Sequence, residues 1–140
     1  MADAFIDPDR GVFKALRELP LDHPVEMLNL VRLRQRAAYA DGRDATGAEA
    51  YAAYGRESGP IFRKVGGEII WSATPELMLI GPQEERWDVA FVARYPTGQA
   101  FLDMVYDPAY QAIVFHRQAA VETSRLLRTK PKDAASEGFG

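Results

Sequence analysis

The sequence contains no cysteine. This absence excludes a disulfide framework, a thiolate nucleophile and any cysteine-ligated metal, and it suits a reducing compartment, so we expect a cytoplasmic protein. No apolar run is long enough to cross a bilayer, and the first residues include an acid, Asp3, where a secretory signal needs basic residues. We accordingly predict a protein that is neither exported nor embedded in a membrane.

Long blocks of basic residues are also missing. Lys and Arg total 17 against 20 Asp and Glu, which gives a formal net charge of -3. Proteins that bind nucleic acid or anionic membranes need a basic surface, so we expect neither partner. The chain has 140 residues, 47% of them hydrophobic, which is enough for one domain with a core of its own.

The motifs of several enzyme classes are missing as well. There are two histidines and no His-Glu-x-x-His pair, so we predict no metal site and no bound cofactor. Ser58 occupies the fourth position of Gly-Arg-Glu-Ser-Gly, which differs from the Gly-x-Ser-x-Gly motif of serine hydrolases. Gly66-Gly67 precedes a predicted strand, whereas a phosphate-binding loop precedes a helix. Covalent catalysis and nucleotide binding are therefore not indicated.

Residues 1–24 are predicted to form an N-terminal extension with a short helix. Asp7-Pro8 resembles an N-cap followed by proline at the first helical position, and apolar residues then repeat at helical spacing. A first strand is predicted over residues 25–34. The polar segment over residues 35–45 is then a loop longer than the usual connection of about 4 to 6 residues, and ordered loops of that length often carry function.

The next helix has the clearest boundaries in the sequence. Thr46 and Glu49 form a capping box, in which each side chain accepts a hydrogen bond from the other's main-chain amide. Aromatic and apolar residues follow at steps of three and four as far as Gly66-Gly67, which closes the helix because glycine adopts the left-handed conformation readily. Pro60 is expected to kink this helix.

After this helix the pattern predicts two strands, a helix in two pieces and a closing strand. The two helical pieces start at Thr97 and at Asp107-Pro108, each of which resembles an N-cap. Residues 129–140 lack periodicity and are predicted to be a disordered tail. The strands are expected at residues 68–73, with a continuation over 77–80, and at residues 87–95 and 121–128.

Two β-α-β halves joined by a hairpin predict an α+β fold of the ferredoxin-like type, β-α-β-β-α-β, with an antiparallel four-stranded sheet and helices on one face. The opposite face still carries large apolar side chains. A monomer rarely exposes so much contiguous apolar surface, so we expect a homodimer in which two copies pack sheet against sheet.

Short motifs that match one known family lie along residues 25–128: Met27-Leu28-Asn29-Leu30, Tyr51 with Tyr54, Gly66-Gly67, Trp87-Asp88, Tyr95-Pro96, Asp107-Pro108-Ala109-Tyr110-Gln111, His116-Arg117 and Ser124-Arg125-Leu126. With these motifs the sequence resembles the DUF1330 family, whose function is unknown. The resemblance implies a dimeric α+β barrel. That superfamily includes antibiotic-biosynthesis-type monooxygenases, stress-responsive barrel proteins and chlorite dismutase relatives, so it does not imply one function.

His116 is a first candidate for chemistry. A histidine tuned near neutral pH can act as a general base or can bind haem or a metal. The alternative is a structural histidine that interacts favourably with the C-terminus of its helix. The hypothesis that the protein binds haem depends on His116 alone.

Polar residues on the predicted sheet are further candidates. Arg94, Arg117 and Arg125, together with Arg32, each need a carboxylate partner or an anionic ligand on a largely apolar sheet, and an ion pair with Asp88 or Glu122 is the structural alternative. Asn29 stands in mid-strand among apolar residues, so its amide must find partners. It either binds a ligand or forms hydrogen bonds across the dimer interface.

Aromatic residues either form the core or line a slot for a flat organic molecule. The loop residue Tyr39 and the strand residue Trp71, which simple alternation places on the face of Ile69, are the two we assign to a site. The aromatic residues for which these two roles are considered are Tyr39, Tyr51, Tyr54, Trp71, Phe91, Tyr95, Phe101 and Tyr110.

Two functional hypotheses follow. In the first, the dimer binds a small organic molecule in a pocket between the sheet and the broken helix, without chemistry. In the second, it is a cofactor-free monooxygenase or isomerase for a small aromatic or polyketide-like molecule, in which Asn29, His116 and Arg125 stabilise an enolate. The sequence leaves both open.

Overall fold

The computed structural model describes residues 4–132. Within them the chain forms five helices and four strands in the predicted order, and the first of these elements is the N-terminal helix. The elements are α1 (Arg10–Glu18), β1 (Val25–Leu33), α2 (Gly47–Lys64), β2 (Glu68–Ala73), β3 (Val89–Tyr95), α3 (Gly98–Tyr106), α4 (Pro108–Ile113), α5 (Phe115–Ala120) and β4 (Val121–Thr129).

The four described strands form one antiparallel sheet in the order β2-β3-β1-β4. This order, with the helices placed between the strands, is the ferredoxin-like arrangement, and the predicted fold class is confirmed. The two central strands are β1 and β3, which are therefore the most buried strands.

Side chains alternate between two faces of the sheet, and the register fixes which residues share a face. Met27 is opposite Ala93, and both belong to a core cluster with residues of α3. Val31 belongs to a second cluster with Ala50 of α2 and with Ala120. We call this side the helix face. Because alternate residues point the same way, Asn29 also lies on it.

We call the other side of the sheet the open face. Leu28 is opposite Val92 on one neighbour and Leu127 on the other, and Leu30 follows two residues later. None of these four residues belongs to a core cluster in the part of the chain that the structure describes. Leu127 is 57% exposed. The protomer thus leaves an apolar strip on the open face.

Helix α2 begins and ends as the sequence indicates. The Thr46 hydroxyl accepts a hydrogen bond from the Glu49 amide at 3.0 Å, and the Glu49 carboxylate accepts one from the Thr46 amide at 2.8 Å. Pro60 lies inside the helix. Gly66 has φ +87°, which is the left-handed conformation expected after a helix end.

Several predicted boundaries need correction. The N-cap of α1 is Asp9 and not Asp7, because the Asp9 carboxylate accepts hydrogen bonds from the amides of Gly11 and Val12. The broken helix has three pieces, because a further break occurs at Val114. No side chain caps the helix that starts after Val114, so the sequence contains no capping residue that could predict this break.

Strand boundaries also differ from the prediction. The third strand begins at Val89, two residues later than expected, and Thr129 belongs to β4 and not to the tail. The predicted continuation of β2 over residues 77–80 is wrong, since the structure has no strand there. Most of the predicted disordered tail, residues 133–140, lies outside the described residues.

Candidate functional site

An open groove of about 2150 Å³ lies between the helix face of the sheet and the helices. Met27, Asn29 and Phe91 contribute to its lining from the sheet, and helices α2, α3 and α4 contribute further side chains. Helix α1 lines it as well. The walls of the groove are mostly apolar and aromatic.

Three tyrosines stand together in this groove. Tyr51 and Tyr54 lie one turn apart on α2, with ring centroids 5.7 Å apart. Tyr110 reaches them from the first turn of α4, which Asp107 caps through the Ala109 amide. The hydroxyls of Tyr54 and Tyr110 are 2.9 Å apart and share a hydrogen bond, and their rings meet edge to face. The cap at Asp107 therefore aims a tyrosine hydroxyl at α2.

Burial keeps Tyr51 and Tyr110 neutral. It raises the pKa of Tyr51 to about 12, with a smaller contribution from Tyr54. Burial also raises the pKa of Tyr110 and of Tyr95 well above the usual value, again helped by Tyr54. The anionic form is disfavoured because the apolar surroundings replace the water that would solvate it. Near neutral pH the groove consequently offers O–H donors and no phenolate.

The raised tyrosine pKa values predict a loss of stability in alkali. A group whose folded pKa lies above its unfolded value of about 10 stabilises the fold fully below pH 10 and loses that contribution as pH rises through the folded pKa. For Tyr51 that window runs from about 10 to about 12.

We expect the free energy of unfolding to fall steeply above pH 10, and part of the tyrosinate absorbance to appear only when circular dichroism reports unfolding. The six tyrosines provide the signal. Full ionisation of all six near pH 10 in the folded protein would contradict the expected burial.

The groove also has hydrogen-bonding capacity to spare. In the Tyr54–Tyr110 pair one hydroxyl donates to the other, so the acceptor's own proton has no protein acceptor among the described residues. The Asn29 Nδ2 donates to the Met27 carbonyl at 3.1 Å, while the Asn29 Oδ1 has no donor within residues 4–132. A donor of the tyrosine pair and the Asn29 acceptor thus remain for a ligand.

Arg117 lines the groove but is already engaged. Its guanidinium donates to the main-chain oxygen of Ile6 and, at 3.1 Å, to the hydroxyl of Ser124. It therefore holds the N-terminal segment against β4 and α5. No ion pair joins this arginine to a carboxylate in the described part of the chain, so the predicted partners Asp88 and Glu122 do not apply to it.

Tyr39 and His116 meet elsewhere, outside the groove lining. The Tyr39 hydroxyl lies 2.6 Å from His116 Nδ1, and His116 Nε2 lies 2.6 Å from the Glu57 carboxylate. The Nε2 N–H donates to the carboxylate, and Nδ1 shares a hydrogen bond with the tyrosine hydroxyl. His116 is 7% exposed and holds the long loop against α2.

This arrangement corrects two predictions for His116. The residue lies in the first turn of α5 and so makes no favourable interaction with a helix C-terminus. Both ring nitrogens have partners, which leaves neither for haem or a metal. Among residues 4–132 no group of three histidine, aspartate or glutamate residues is arranged to hold a metal ion.

The remaining candidates lie away from the groove's tyrosines. Arg94 is on the open face, in register with Glu26 and Glu68, where opposite charges attract across neighbouring strands. Trp71 is 50% exposed on edge strand β2. A register shift between Ile69 and Trp71 places them on opposite faces, because it breaks the two-residue alternation.

Arg125 also shares the open face, by its register with Leu30. Its guanidinium lies 3.7 Å from the Glu85 carboxylate and 5.2 Å from the ring centre of Trp87. Arg32 forms an ion pair with Glu122 at 3.4 Å, and this pair was the predicted alternative to a ligand-binding role for Arg32. The predicted site residues therefore fall in three places: the groove, the His116 cluster and the open face.

The sequence favoured core packing for the groove's tyrosines, and it gave no indication of Glu57. A signal for Tyr51 and Tyr54 was their spacing of three on one helix, which aligns their side chains. A signal for Tyr110 was its position just after Asp107, where a cap fixes the first turn. Nothing in the sequence links Glu57 to His116, because their contact depends on how α2 packs against α5.

Comparison with known proteins gives a family without a known activity. The crystal structure of the methylated RPA0582 protein shares 55% identity with the chain, covers 96% of it and 100% of its own length, and has a TM-score of 0.93. The RPA0582 structure from Rhodopseudomonas palustris, described as a protein of unknown function, shares 56% identity over 94% of this chain and 99% of its own, with a TM-score of 0.90.

More distant structures share the fold alone. An uncharacterised NIPSNAP-like domain protein from Burkholderia xenovorans is 19% identical over 83% of this chain and 91% of its own, with a TM-score of 0.52. No curated protein matches the sequence. The family described as Domain of unknown function (DUF1330) matches residues 36–128, so the chain belongs to the DUF1330 family.

Proposed function

We propose that the protein binds a flat, neutral organic molecule in the groove and holds it by two hydrogen bonds. The observation that carries the proposal is the combination of a spare tyrosine donor and the spare Asn29 acceptor on mostly apolar walls. Small-molecule sites typically combine an apolar lining with a few convergent polar groups. A carbonyl group of the ligand can accept a hydrogen bond from the tyrosine, and a hydroxyl group of the ligand can donate one to Asn29.

The charges around the groove favour a neutral ligand. Arg117 and Arg128 both donate to main-chain carbonyls, of Ile6 and Pro20. Arg63 is exposed, so solvent screens its attraction for an anion. A carboxylate or phosphate inside the groove would lose its hydration without gaining a dedicated partner, which costs free energy.

The same proposal includes a homodimer formed through the open face. Leu28, Leu30, Val92 and Leu127 form an apolar strip there, and a second copy related by a two-fold axis would cover it. None of the described helices is long and apolar enough to span a bilayer. We propose that the dimer functions in the cytoplasm, which the absence of cysteine favours.

The alternative function, a cofactor-free monooxygenase or isomerase, has less support. It requires Asn29, His116 and Arg125 around one substrate, and His116 lies outside the groove that the other two line. The neutral tyrosine hydroxyls are the groups in the groove that can stabilise a developing oxyanion. Binding without chemistry is therefore the function that the geometry supports best.

The test uses 6-acetyl-2-naphthol, a flat neutral fluorophore that carries one carbonyl and one hydroxyl. We expect saturable binding to the native dimer. Replacing Tyr54 and Tyr110 together by phenylalanine removes the donor, and Asn29→Leu removes the acceptor. Each variant is expected to weaken binding about tenfold, since one lost hydrogen bond is worth roughly 1 to 1.5 kcal/mol.

Two features make this experiment specific. The double tyrosine variant removes both partners of one hydrogen bond, a change that is often nearly neutral for stability, so weaker binding is not a folding defect. Tyr39→Phe removes a hydroxyl outside the groove lining and should leave the affinity unchanged. Absence of saturable binding, or equal affinity in all variants, would refute the proposal. Oxygen uptake or conversion of the probe would favour the alternative.

A further inference from the structure

Helix α1 packs unusually loosely for an amphipathic helix. None of its described residues is buried, and Val12 is 63% exposed. Its apolar residues Val12, Phe13 and Leu16 recur at helical spacing on one side, which in a globular protein normally faces a core. Here that side has no core to face.

Both ends of the helix are nevertheless firmly attached. Upstream, the Ser124 amide donates to the Phe5 carbonyl at 2.8 Å, and Arg117 donates to Ile6. Downstream, the Gln99 amide donates to the Leu21 carbonyl at 3.0 Å. Between these attachments, among the described residues, one edge-to-face ring contact joins α1 to the rest, from Phe13 to Tyr106 at 5.8 Å.

The apolar side of α1 lines the groove. Val12, Phe13 and Leu16 belong to the same lining as Tyr54 and Tyr110. The helix is thus an outer wall of the groove, held at both ends and loosely packed in between. An apolar molecule that extended from the tyrosine pair to α1 would cover side chains that are now exposed to water, which is favourable.

We propose that α1 is a movable wall that closes over the ligand, and that the ligand is therefore an elongated apolar molecule with a polar end at the tyrosine pair. This inference rests on the proposed function of the groove and adds the length of the ligand to it. Closure requires no unfolding of the core, because α1 contributes no buried side chain in the described structure.

The test compares two probes, 6-acetyl-2-naphthol and its longer homologue 6-octanoyl-2-naphthol. We expect the longer probe to bind at least about tenfold more tightly, since each buried methylene favours binding. We also expect it, and not the short probe, to slow hydrogen exchange of the α1 amides. Val12→Ser with Leu16→Ser should abolish both effects.

Lys14→Ser with Glu18→Ser is the matched control, because it has the same spacing on the other side of α1 and should retain the preference for the long probe. If the native protein does not bind the short probe, the proposed function itself fails. If it binds both probes equally and neither probe protects the α1 amides from exchange, the inference that α1 moves is refuted and the proposed function is not. Protection of α1 that depends on protein concentration and not on probe would mean that α1 packs on a second copy, which also overturns this inference.

Discussion

Replacing Gly47 by alanine should lower the free energy of unfolding by about 3 kcal/mol or more, an effect at the upper end for overpacking. A Cβ atom at this position would lie 1.9 Å from the carbonyl oxygen of Arg34 and within 2.9 Å of its main-chain nitrogen. These are backbone atoms at the end of β1, so no side-chain rotation can relieve the clash. Either α2 or the end of the central strand must move.

Thermal unfolding followed by circular dichroism tests this expectation, and Gly55→Ala is the control in the same helix. A Cβ at Gly55 meets no atom within 4 Å among the described residues, so alanine should stabilise α2 by about 0.5 to 1 kcal/mol. We expect the Gly47 variant to melt roughly 10 °C lower and the Gly55 variant slightly higher. Equal shifts for both variants would mean that the start of α2 does not approach β1 so closely.

The contrast between these two glycines shows what the sequence could predict and what it could not. The boundaries of α2 followed from Thr46, Glu49 and Gly66, because capping and left-handed closure depend on residues close together in the chain. Nothing local distinguishes Gly47 from Gly55. The difference arises because β1 ends against the first turn of α2, which is a long-range contact.

The candidate site was predictable to a smaller degree for the same reason. The sequence singled out Asn29 as a polar residue that needs partners, but its two possible roles depended on which face of the sheet it occupied. The register with Phe91 and Leu126 places it on the helix face, away from the proposed dimer interface. A shift of one residue would have reversed this outcome.

Residues 77–80 have the composition of a strand but do not form one. Their apolar composition resembles a strand, yet Leu77, Leu79 and Ile80 are among the most exposed hydrophobic residues, with Ile80 90% exposed. The apolar pattern indicated a buried strand, but in the described structure residues 77–80 form no strand and are exposed. Together with the open face, they show that one copy of the chain leaves much apolar surface without cover.

The second large effect concerns the open face. Leu127→Glu should convert the proposed dimer to a monomer at micromolar concentration, with a dissociation constant raised by about a hundredfold or more. Leu127 lies opposite Leu28 in the middle of the apolar strip. Two-fold symmetry introduces the carboxylate twice, and a charge buried without a partner costs several kcal/mol. Sedimentation velocity on dilute protein measures the change.

The neighbouring residue provides a matched control. Leu126 lies on the same strand and is also exposed, but its register with Asn29 places it on the helix face. Leu126→Glu should therefore remain dimeric, while it weakens binding of 6-acetyl-2-naphthol because it lines the groove. A monomeric native protein, or a dimer lost in Leu126→Glu and kept in Leu127→Glu, would refute assembly through the open face. Both residues line the groove, so it is the oligomeric state, and not binding of the probe, that distinguishes the two variants.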